Sequence, residues 1–474
     1  MGDAETITRN TGFLFAGEII SRALSMVFFV ILARKLGVSD FGIYSFAFAI
    51  ASIFLIFSDM GLATLTIKEI AKDKKKAYEY LSTTFSIKLF ATLAFAIVVV
   101  LVFSNFALPE MAVAVSIVML ASFFNSITEP FRNIFLAFER HHYYALMNIF
   151  ERVIATGLGI YLLLTGHGLL AVLWVFVVSY GLNFAASALI VWNRFTHFSV
   201  TLDFKKWLQL LKKSWAFLLS VLFMAIYYRI GIIMLKVMVK SNDPVGWYNS
   251  AYGLVDSLSF IPLILVTAVF PAMSRFHLEA KNFLALLYKK VFYYLAMVAL
   301  PIAFATTILA GKIIGFLYTP EYSPAVMALQ LLIWSEVFVF FNYLIGYLLN
   351  AVDKQKLFAR ATAIYLAINI ALNLILIPKY QHIGVAAATI LTQAVGFAVL
   401  LYYSSKNGYA INVFKLLLKP LIASLVMSAV ILGLSDFSLF TLIALGAAAY
   451  LASLLLLRAI GREELTLLRK VIRL

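Results

Sequence analysis

Residues 12–37, GFLFAGEIISRALSMVFFVILARKLG, form an apolar stretch that is long enough to cross a lipid bilayer. Apolar runs of about 20 residues, the length that a membrane-spanning helix needs, recur from there along the rest of the chain. The 474 residues are 64% hydrophobic and 13% charged, and their mean hydropathy is +0.98. A water-soluble domain has about 25% charged residues. The sequence therefore predicts an all-α polytopic membrane protein.

The apolar runs predict about fourteen transmembrane helices, joined mostly by short loops. The spans are expected at residues 12–33, 41–67, 83–103, 111–138, 145–165, 169–192, 214–239, 246–273, 291–310, 324–349, 358–377, 383–404, 414–434 and 437–457. No loop is long enough to hold a soluble domain, so we expect the protein to act in or at the membrane. The chain has no cysteine, which excludes disulfides, thiolate metal sites and cysteine nucleophiles.

The positions of Lys and Arg predict how the chain is oriented. When the loops are numbered alternately, 28 of the 38 basic residues lie on one side, six lie on the other, and four lie inside predicted spans. Loops rich in Lys and Arg remain in the cytoplasm, so both termini are predicted to be cytoplasmic. The same distribution explains the net charge of +16 as a set of topology signals beside anionic lipid. We therefore expect no nucleic-acid partner.

Three loop sequences recur six spans later in the chain, which predicts an internal repeat. The pairs are GVSDFGIYSFAFAI with KSNDPVGWYNSAYGL, LAFERHHYYALMNIF with LNAVDKQKLFARATA, and TGHGLLAV with YQHIGVAAA, at offsets of 203–216 residues. Six is an even number of spans, so the two halves insert in the same orientation. We predict two pseudo-symmetric six-helix lobes, residues 1–203 and 204–405. Two additional C-terminal helices and a tail follow in residues 406–474.

The stretch at residues 7–62, from ITRNTGFLF to SDMGL, resembles the opening of the polysaccharide transporter family in the multidrug/oligosaccharidyl-lipid/polysaccharide flippase superfamily. Its most characteristic parts are ARKLGVSDFGIYSFA at residues 33–47 and SDMGL at 58–62, and the later stretch at 244–275 is similar too. The resemblance implies a flippase that moves a lipid-linked oligosaccharide across the cytoplasmic membrane for cell-surface polysaccharide assembly. It also implies alternating access coupled to an ion gradient. Membrane lipids and glycan-assembly proteins would be its partners.

Ionisable residues inside predicted spans are the best guide to a site, because a charge at the bilayer centre costs about 2.5–3.5 kcal/mol. Eight of them lie deep in their spans: Glu18, Arg22, Asp59, Glu129, Arg132, Arg229, Asp256 and Glu336. Helical spacing pairs Glu18 with Arg22, and Glu129 with Arg132 across Pro130. Each pair could face a hydrated cavity, or it could neutralise itself and hold helices together.

Other intramembrane charges are interpreted by their depth and spacing. Lys88, Glu151 and Arg152 lie close to the ends of their spans, and we interpret them as side chains that snorkel to the interface. Arg229 and Asp256 have no opposite charge at helical spacing. They are therefore expected to need a partner on another helix, water or substrate.

In the resembled transporters, the first, second, seventh and eighth spans line a central cavity. The resemblance therefore implies that arginines at these depths bind the cargo's diphosphate, because arginine pairs its donors with phosphate oxygens. The candidates are Arg22 and Arg229 from opposite lobes, with Arg132. The candidates to bind Na⁺ or H⁺ as access alternates are the carboxylates Glu18, Asp59, Asp256, Glu129 and Glu336. We expect no catalytic residue, no cofactor and no metal site, since His141 and His142 lack a second ligand cluster.

Three other functions compete with this interpretation. A drug exporter of the same superfamily would carry a cationic cargo and would normally have twelve spans, so the intramembrane arginines and the additional helices argue against it. A polysaccharide polymerase or glycosyltransferase would display acidic catalytic residues on a sizeable outer loop, and the outer loops here are short. A membrane scaffold would not need so many deep charges. We therefore favour a flippase that is not an enzyme.

Overall fold

A computed structural model describes the backbone of residues 2–106 and 109–459, and all side chains there except those of 2–19, 106, 215–221, 224 and 225. The described residues form fourteen α-helices: α1 Gly2–Asp59, α2 Leu62–Lys72, α3 Ala77–Phe106, α4 Pro109–Ala137, α5 His141–Leu164, α6 Leu169–Arg194, α7 Phe204–Val239, α8 Asp243–Asp256, α9 Phe260–Glu279, α10 Lys281–Leu317, α11 Ala325–Ala351, α12 Gln355–Lys406, α13 Val413–Gly433 and α14 Leu439–Leu456. Short 3₁₀ turns lie at Lys74–Lys76, Ser257–Ser259 and Pro320–Tyr322. No β-strand occurs in these ranges.

The helices confirm the predicted class of all-α polytopic membrane protein. Eleven described helical segments are long and apolar enough to span a membrane. Two of them, in α1 and α12, each contain two predicted spans joined where the backbone leaves helical geometry, at Gly37 (φ 76°) and Gln381 (φ 47°). With α7, which covers the predicted seventh span, these segments account for all fourteen predicted spans.

The chain folds into two compact units, Met1–Asn249 and Ser250–Leu474. In the N-terminal unit, rings from α3, α4 and the segment after α6 stack edge to face, with Phe131 5.5 Å from Phe85 and 4.8 Å from Phe198. In the C-terminal unit, α13 and α14 pack on α10, and the hydroxyl of Tyr450 donates to the carbonyl of Met297 at 2.7 Å. The lobe boundaries at residues 203 and 405 follow the sequence repeat and stay a prediction.

Corresponding loops of the sequence repeat have the same backbone geometry. Glu139 follows α4 and Asp353 follows α11, and both have left-handed φ angles, 58° and 57°. In each loop the next residue, Arg140 or Lys354, donates its N–H to the carbonyl five positions earlier, at 2.8 and 2.7 Å. The other two loop pairs also contain residues with positive φ at matching places: Gly37 with Lys240, and Gly166 with Gln381. The backbone therefore supports the repeat that the sequence predicts.

Candidate functional site

A buried lysine joins two of the predicted carboxylates in the N-terminal unit. Lys88 on α3 is only 1% exposed, and its ammonium lies 2.9 Å from an oxygen of Asp59 and in contact with Glu129. These three side chains come from α3, α1 and α4. Two carboxylates share one ammonium, so the cluster has one formal negative charge in excess.

The position of Asp59 is fixed by a break in the helix. The α1 helix ends here because Met60 and Gly61 adopt left-handed backbone angles, φ 46° and 76°. The carboxylate accepts the N–H groups of Gly61 at 3.2 Å and Ala63 at 3.1 Å, so it caps the start of α2. The same oxygen that accepts from Ala63 also contacts Lys88. Asp59 therefore connects the helix break to the buried charge cluster.

Three hydroxyl groups lie beside this cluster on the same three helices. Thr92 is 2.9 Å from Ser58 and 3.0 Å from Ser126, and the two serines also contact each other. All three side chains are buried. A closed triangle of hydroxyls satisfies its own donors, so it joins α1, α3 and α4 without needing water.

A second polar cluster lies around Arg132 on α4. Its guanidinium donates to Asn125 at 2.6 Å and lies 3.7 Å from the carboxylate of Glu151 on α5. Glu151 is buried, and its carboxylate accepts from Asn183 on α6 at 2.5 Å. Arg132 is thus held by protein groups from α4 and α5.

These contacts correct two interpretations made from the sequence. Glu129 and Arg132 do not form a pair with each other, because each is held by a residue on another helix, Lys88 and Glu151 respectively. Lys88 and Glu151 do not snorkel to the interface, because both side chains are buried inside the protein. The sequence interpretation missed these two residues as members of the charge network.

The predicted arginines of the first and seventh spans differ in their surroundings. Arg229 on α7 is half-buried, and its positive charge acts on the hydroxyl of Tyr44. Within the described part of the chain, Arg229 makes no hydrogen bond and no ion pair. Arg22 is exposed and has interactions of its own. Glu18, which is one turn from Arg22, lies outside the described side chains.

In the C-terminal unit, the predicted carboxylate of Glu336 is buried with a different kind of partner. Its side chain on α11 is 6% exposed, and it accepts a hydrogen bond of 2.7 Å from the hydroxyl of Ser259. Ser259 ends the 3₁₀ turn that separates α8 from α9. Asp256, exposed at the end of α8, adds its negative potential to that of Glu336. No cation among the described residues pairs with Glu336.

The loop after the first span and the loop after the seventh span pack against each other within the N-terminal unit. A Cβ on Gly42 would overlap the carbonyl oxygen of Asn242, and a Cβ on Gly246 would overlap the carbonyl oxygen of Val38. Gly42 and Gly246 are 204 positions apart, as are Val38 and Asn242. The contact is therefore made twice, once in each direction, as in a symmetric dimer.

One hydrogen bond lies at the centre of this contact. The amide of Asn249 donates to the hydroxyl of Ser45 at 2.7 Å, and these two residues are themselves 204 positions apart. The two loops are held together by main-chain packing at two glycines, by this bond, and by the hydrogen bond of 3.1 Å that the amide of Asn242 donates to the hydroxyl of Ser39.

Comparison with known proteins gives two matching family models. The model described as "Polysaccharide biosynthesis protein" matches residues 7–277, and the model described as "Lipid II flippase MurJ" matches residues 248–450. Among curated proteins, a probable low-salt glycan biosynthesis flippase, Agl15 of Haloferax volcanii, is 24% identical over 408 residues, 84% of each chain. An uncharacterised membrane protein of Methanocaldococcus jannaschii is 28% identical over 159 residues, which is 33% of this chain and 31% of that protein.

Two solved structures show the same fold. An inward closed conformation of the lipid II flippase MurJ superposes with a TM-score of 0.81 at 19% identity, covering 95% of this chain and 99% of that one. An inward-facing multidrug resistance MATE transporter of the MOP superfamily gives a TM-score of 0.62 at 14% identity, covering 83% and 95%. At these identities the likeness establishes the two-lobed fold, and the choice of cargo has to be argued from the site.

Proposed function

The chain belongs to the polysaccharide biosynthesis protein family, whose model matches more than half of it, and from this membership we propose that it flips a lipid-linked oligosaccharide across the cytoplasmic membrane. The glycan would serve the assembly of a cell-surface polysaccharide. The observation that carries the proposal is Arg229, a cation on a membrane-spanning helix that makes no hydrogen bond or ion pair in the described part of the chain. The names of the glycan biosynthesis flippase of Haloferax volcanii and of the lipid II flippase support the same class of cargo.

The cargo that this cation fits is anionic. A lipid-linked sugar carries a phosphate or diphosphate between its lipid and its glycan, and an arginine fork binds phosphate oxygens in pairs. We assign Arg229 as the first contact for that group, with Arg22 as its partner from the first span. Arg132 is a weaker candidate, because Asn125 and Glu151 already hold it.

In the proposed mechanism, the packed loops after the first and the seventh spans move apart when access alternates. Main-chain packing at Gly42 and Gly246 holds the two loops together, and the Asn249–Ser45 and Asn242–Ser39 hydrogen bonds are side-chain contacts that would break if the loops separated. A drug exporter of the same superfamily would use the same movement. The site argues against that alternative, because a cationic drug would be repelled by Arg229.

The carboxylates are the proposed sites for the coupling ion, Na⁺ or H⁺. Glu336 is the first choice, because it is buried with a hydroxyl partner and no cation in the described residues. Asp256, whose negative charge acts on Glu336, is the second choice in that unit. Asp59 and Glu129 remain candidates through the excess negative charge around Lys88, and Glu18 stays a candidate from the sequence alone. We propose no catalytic residue and no cofactor.

The topology is part of the same proposal. Both termini and the basic loops would face the cytoplasm, where the lipid-linked oligosaccharide is assembled. Membrane lipids would surround the protein, and glycan-assembly proteins would deliver the cargo and use it on the other side.

The test measures transport in sealed vesicles with a variant whose two loops can be cross-linked reversibly. The chain lacks cysteine, so the double variant Ser45→Cys/Asn249→Cys allows one disulfide to lock the paired loops. Vesicles with the reduced variant should flip a fluorescent lipid-linked oligosaccharide, oxidation should stop flipping, and reduction should restore it. Arg229→Ala in the cysteine-free chain should reduce flipping about tenfold or more, as expected when a charged hydrogen bond to phosphate is lost. If neither the reduced double variant nor the native protein flips the lipid-linked oligosaccharide, the proposed function is wrong.

A further inference from the structure

The α7 helix is longer than a membrane span requires. Its 36 residues extend about 54 Å at 1.5 Å per residue, and the hydrocarbon core is about 30 Å thick. The excess lies in the first turns, residues 204–213, whose sequence is FKKWLQLLKK. Two lysine pairs, 205–206 and 212–213, flank the mainly apolar residues between them, and a mixture of basic and apolar side chains is typical of membrane-surface helices.

The segment before α7 runs along the side of α3 in a fixed register. The N–H of Ser199 donates to the hydroxyl of Ser82 at 3.1 Å, and the N–H of Thr201 donates to the hydroxyl of Ser86 at 2.8 Å. Because residue numbers increase together on both segments, the chain moves from the start of α3 toward its interior. The first turns of α7 therefore begin beside the body of α3.

Two consecutive residues of α7 reach in opposite directions along α3. The ammonium of Lys206 lies 3.0 Å from the carboxylate of Glu79, which is in the first turn of α3. The ring of Trp207 lies 5.8 Å from the ring of Phe90, three turns farther along α3. The charged group points toward the loop end of α3 and the aromatic ring points toward its apolar middle. This is the arrangement of a helix at a membrane interface, where lysine snorkels to water and tryptophan is immersed.

The other side of the same turns is uncovered. Phe204 is 68% exposed and Leu208 is 55% exposed. At 100° per residue, Lys205 and Lys212 lie beside these two residues on the helix surface, and both are exposed. An exposed apolar pair bordered by two ammonium groups matches the boundary between acyl chains and phosphate headgroups.

We propose that residues 204–213 lie in the membrane interface and bind the headgroups of anionic lipids through Lys205 and Lys212. Phe204 and Leu208 insert into the acyl region below them. The three lysines of the adjacent 3₁₀ turn, Lys74–Lys76, are exposed at the same end of α3 and add to the positive potential. Lipid binding by this segment does not depend on the cargo.

The test measures which lipid lies beside residue 208. The variant Leu208→Cys, in a chain that has no other cysteine, is labelled with a small apolar fluorophore and placed in phosphatidylcholine nanodiscs. One preparation contains nitroxide-labelled phosphatidylglycerol and the other contains nitroxide-labelled phosphatidylcholine at the same mole fraction. We expect the anionic lipid to quench more strongly, with local enrichment of roughly fivefold per lysine at low salt. The preference should shrink as salt is added.

Two variants locate the effect. Lys205→Ala/Lys212→Ala should remove the preference for phosphatidylglycerol, and Lys205→Arg/Lys212→Arg should keep it. The control Lys354→Ala/Lys356→Ala removes two exposed lysines in the C-terminal unit and should leave the preference unchanged. Equal quenching by the two lipids would overturn the proposal. So would the absence of quenching by either lipid, which is the result expected if this surface is turned away from the bilayer toward an acidic protein.

Discussion

The carboxylates of Asp59 and Glu129 share the buried ammonium of Lys88, whereas the carboxylate of Glu336 meets only the hydroxyl of Ser259 among the described residues. Both groups lie on spanning helices beside a break in a helix. An ammonium between two carboxylates holds three helices together. Its removal would leave the two carboxylates without a counter-charge in a low-dielectric environment. A carboxylate with a hydroxyl partner retains its capacity to take up a cation. The partner of a buried charge, rather than its depth in the membrane, therefore distinguishes a structural charge from a candidate functional one.

The largest expected effect is the loss of Lys88. Lys88→Ala should lower the free energy of unfolding by about 3–5 kcal/mol, because two carboxylates lose their buried counter-charge. Thermal unfolding in detergent measures this. The triple variant Lys88→Met/Asp59→Asn/Glu129→Gln should recover most of the loss, since no uncompensated charge remains. The exposed Lys75→Ala is the control and should leave the unfolding midpoint unchanged. An unchanged unfolding midpoint in Lys88→Ala would contradict the structural role of the cluster.

A smaller loss is expected at Arg132. Arg132→Ala should destabilise the protein by about 1–3 kcal/mol, because Glu151 keeps its hydrogen bond from Asn183 but loses its cation. Adding Glu151→Gln should restore stability, and adding Glu129→Gln should not. If Glu129→Gln restored stability and Glu151→Gln did not, Glu129 would be the partner of Arg132, as helical spacing predicts.

The smallest change in stability is expected at Glu336. Glu336→Gln keeps an oxygen for the hydroxyl of Ser259 and removes a buried charge without stranding another, so its unfolding midpoint should stay near that of the native chain. If Glu336 binds the coupling ion, transport should lose its dependence on a proton or sodium gradient. Vesicles with imposed gradients of each ion measure this. Full gradient dependence in Glu336→Gln would exclude Glu336 as the coupling group.

The number and type of spans could be predicted from the sequence because apolar length and helix-breaking loops are local properties. The repeat could be predicted because short loop sequences carry it. The loops that contain Glu139 and Asp353 match by their residues alone, and the φ angles of these two residues agree. The class of fold thus needed no tertiary information.

The charge partners could not be predicted in the same way. Helical spacing pairs Glu129 with Arg132, but the partners come from α3 and α5, and three-dimensional packing decides which faces meet. One signal for Lys88 was present in the sequence. The residues directly before it, STTFSI at 82–87, are unusually polar for a spanning helix, which indicates a face turned toward protein.

We propose that Arg229 binds the cargo, whereas Lys88 stabilises the fold. The most direct measurement is the binding of a lipid-linked oligosaccharide to purified Arg229→Ala, with its thermal unfolding recorded on the same sample. We predict a native unfolding midpoint and binding weakened about tenfold or more, with partial recovery in Arg229→Lys, which restores charge but not the planar fork. Unchanged binding in Arg229→Ala, or a loss of stability as large as that of Lys88→Ala, would contradict the claim.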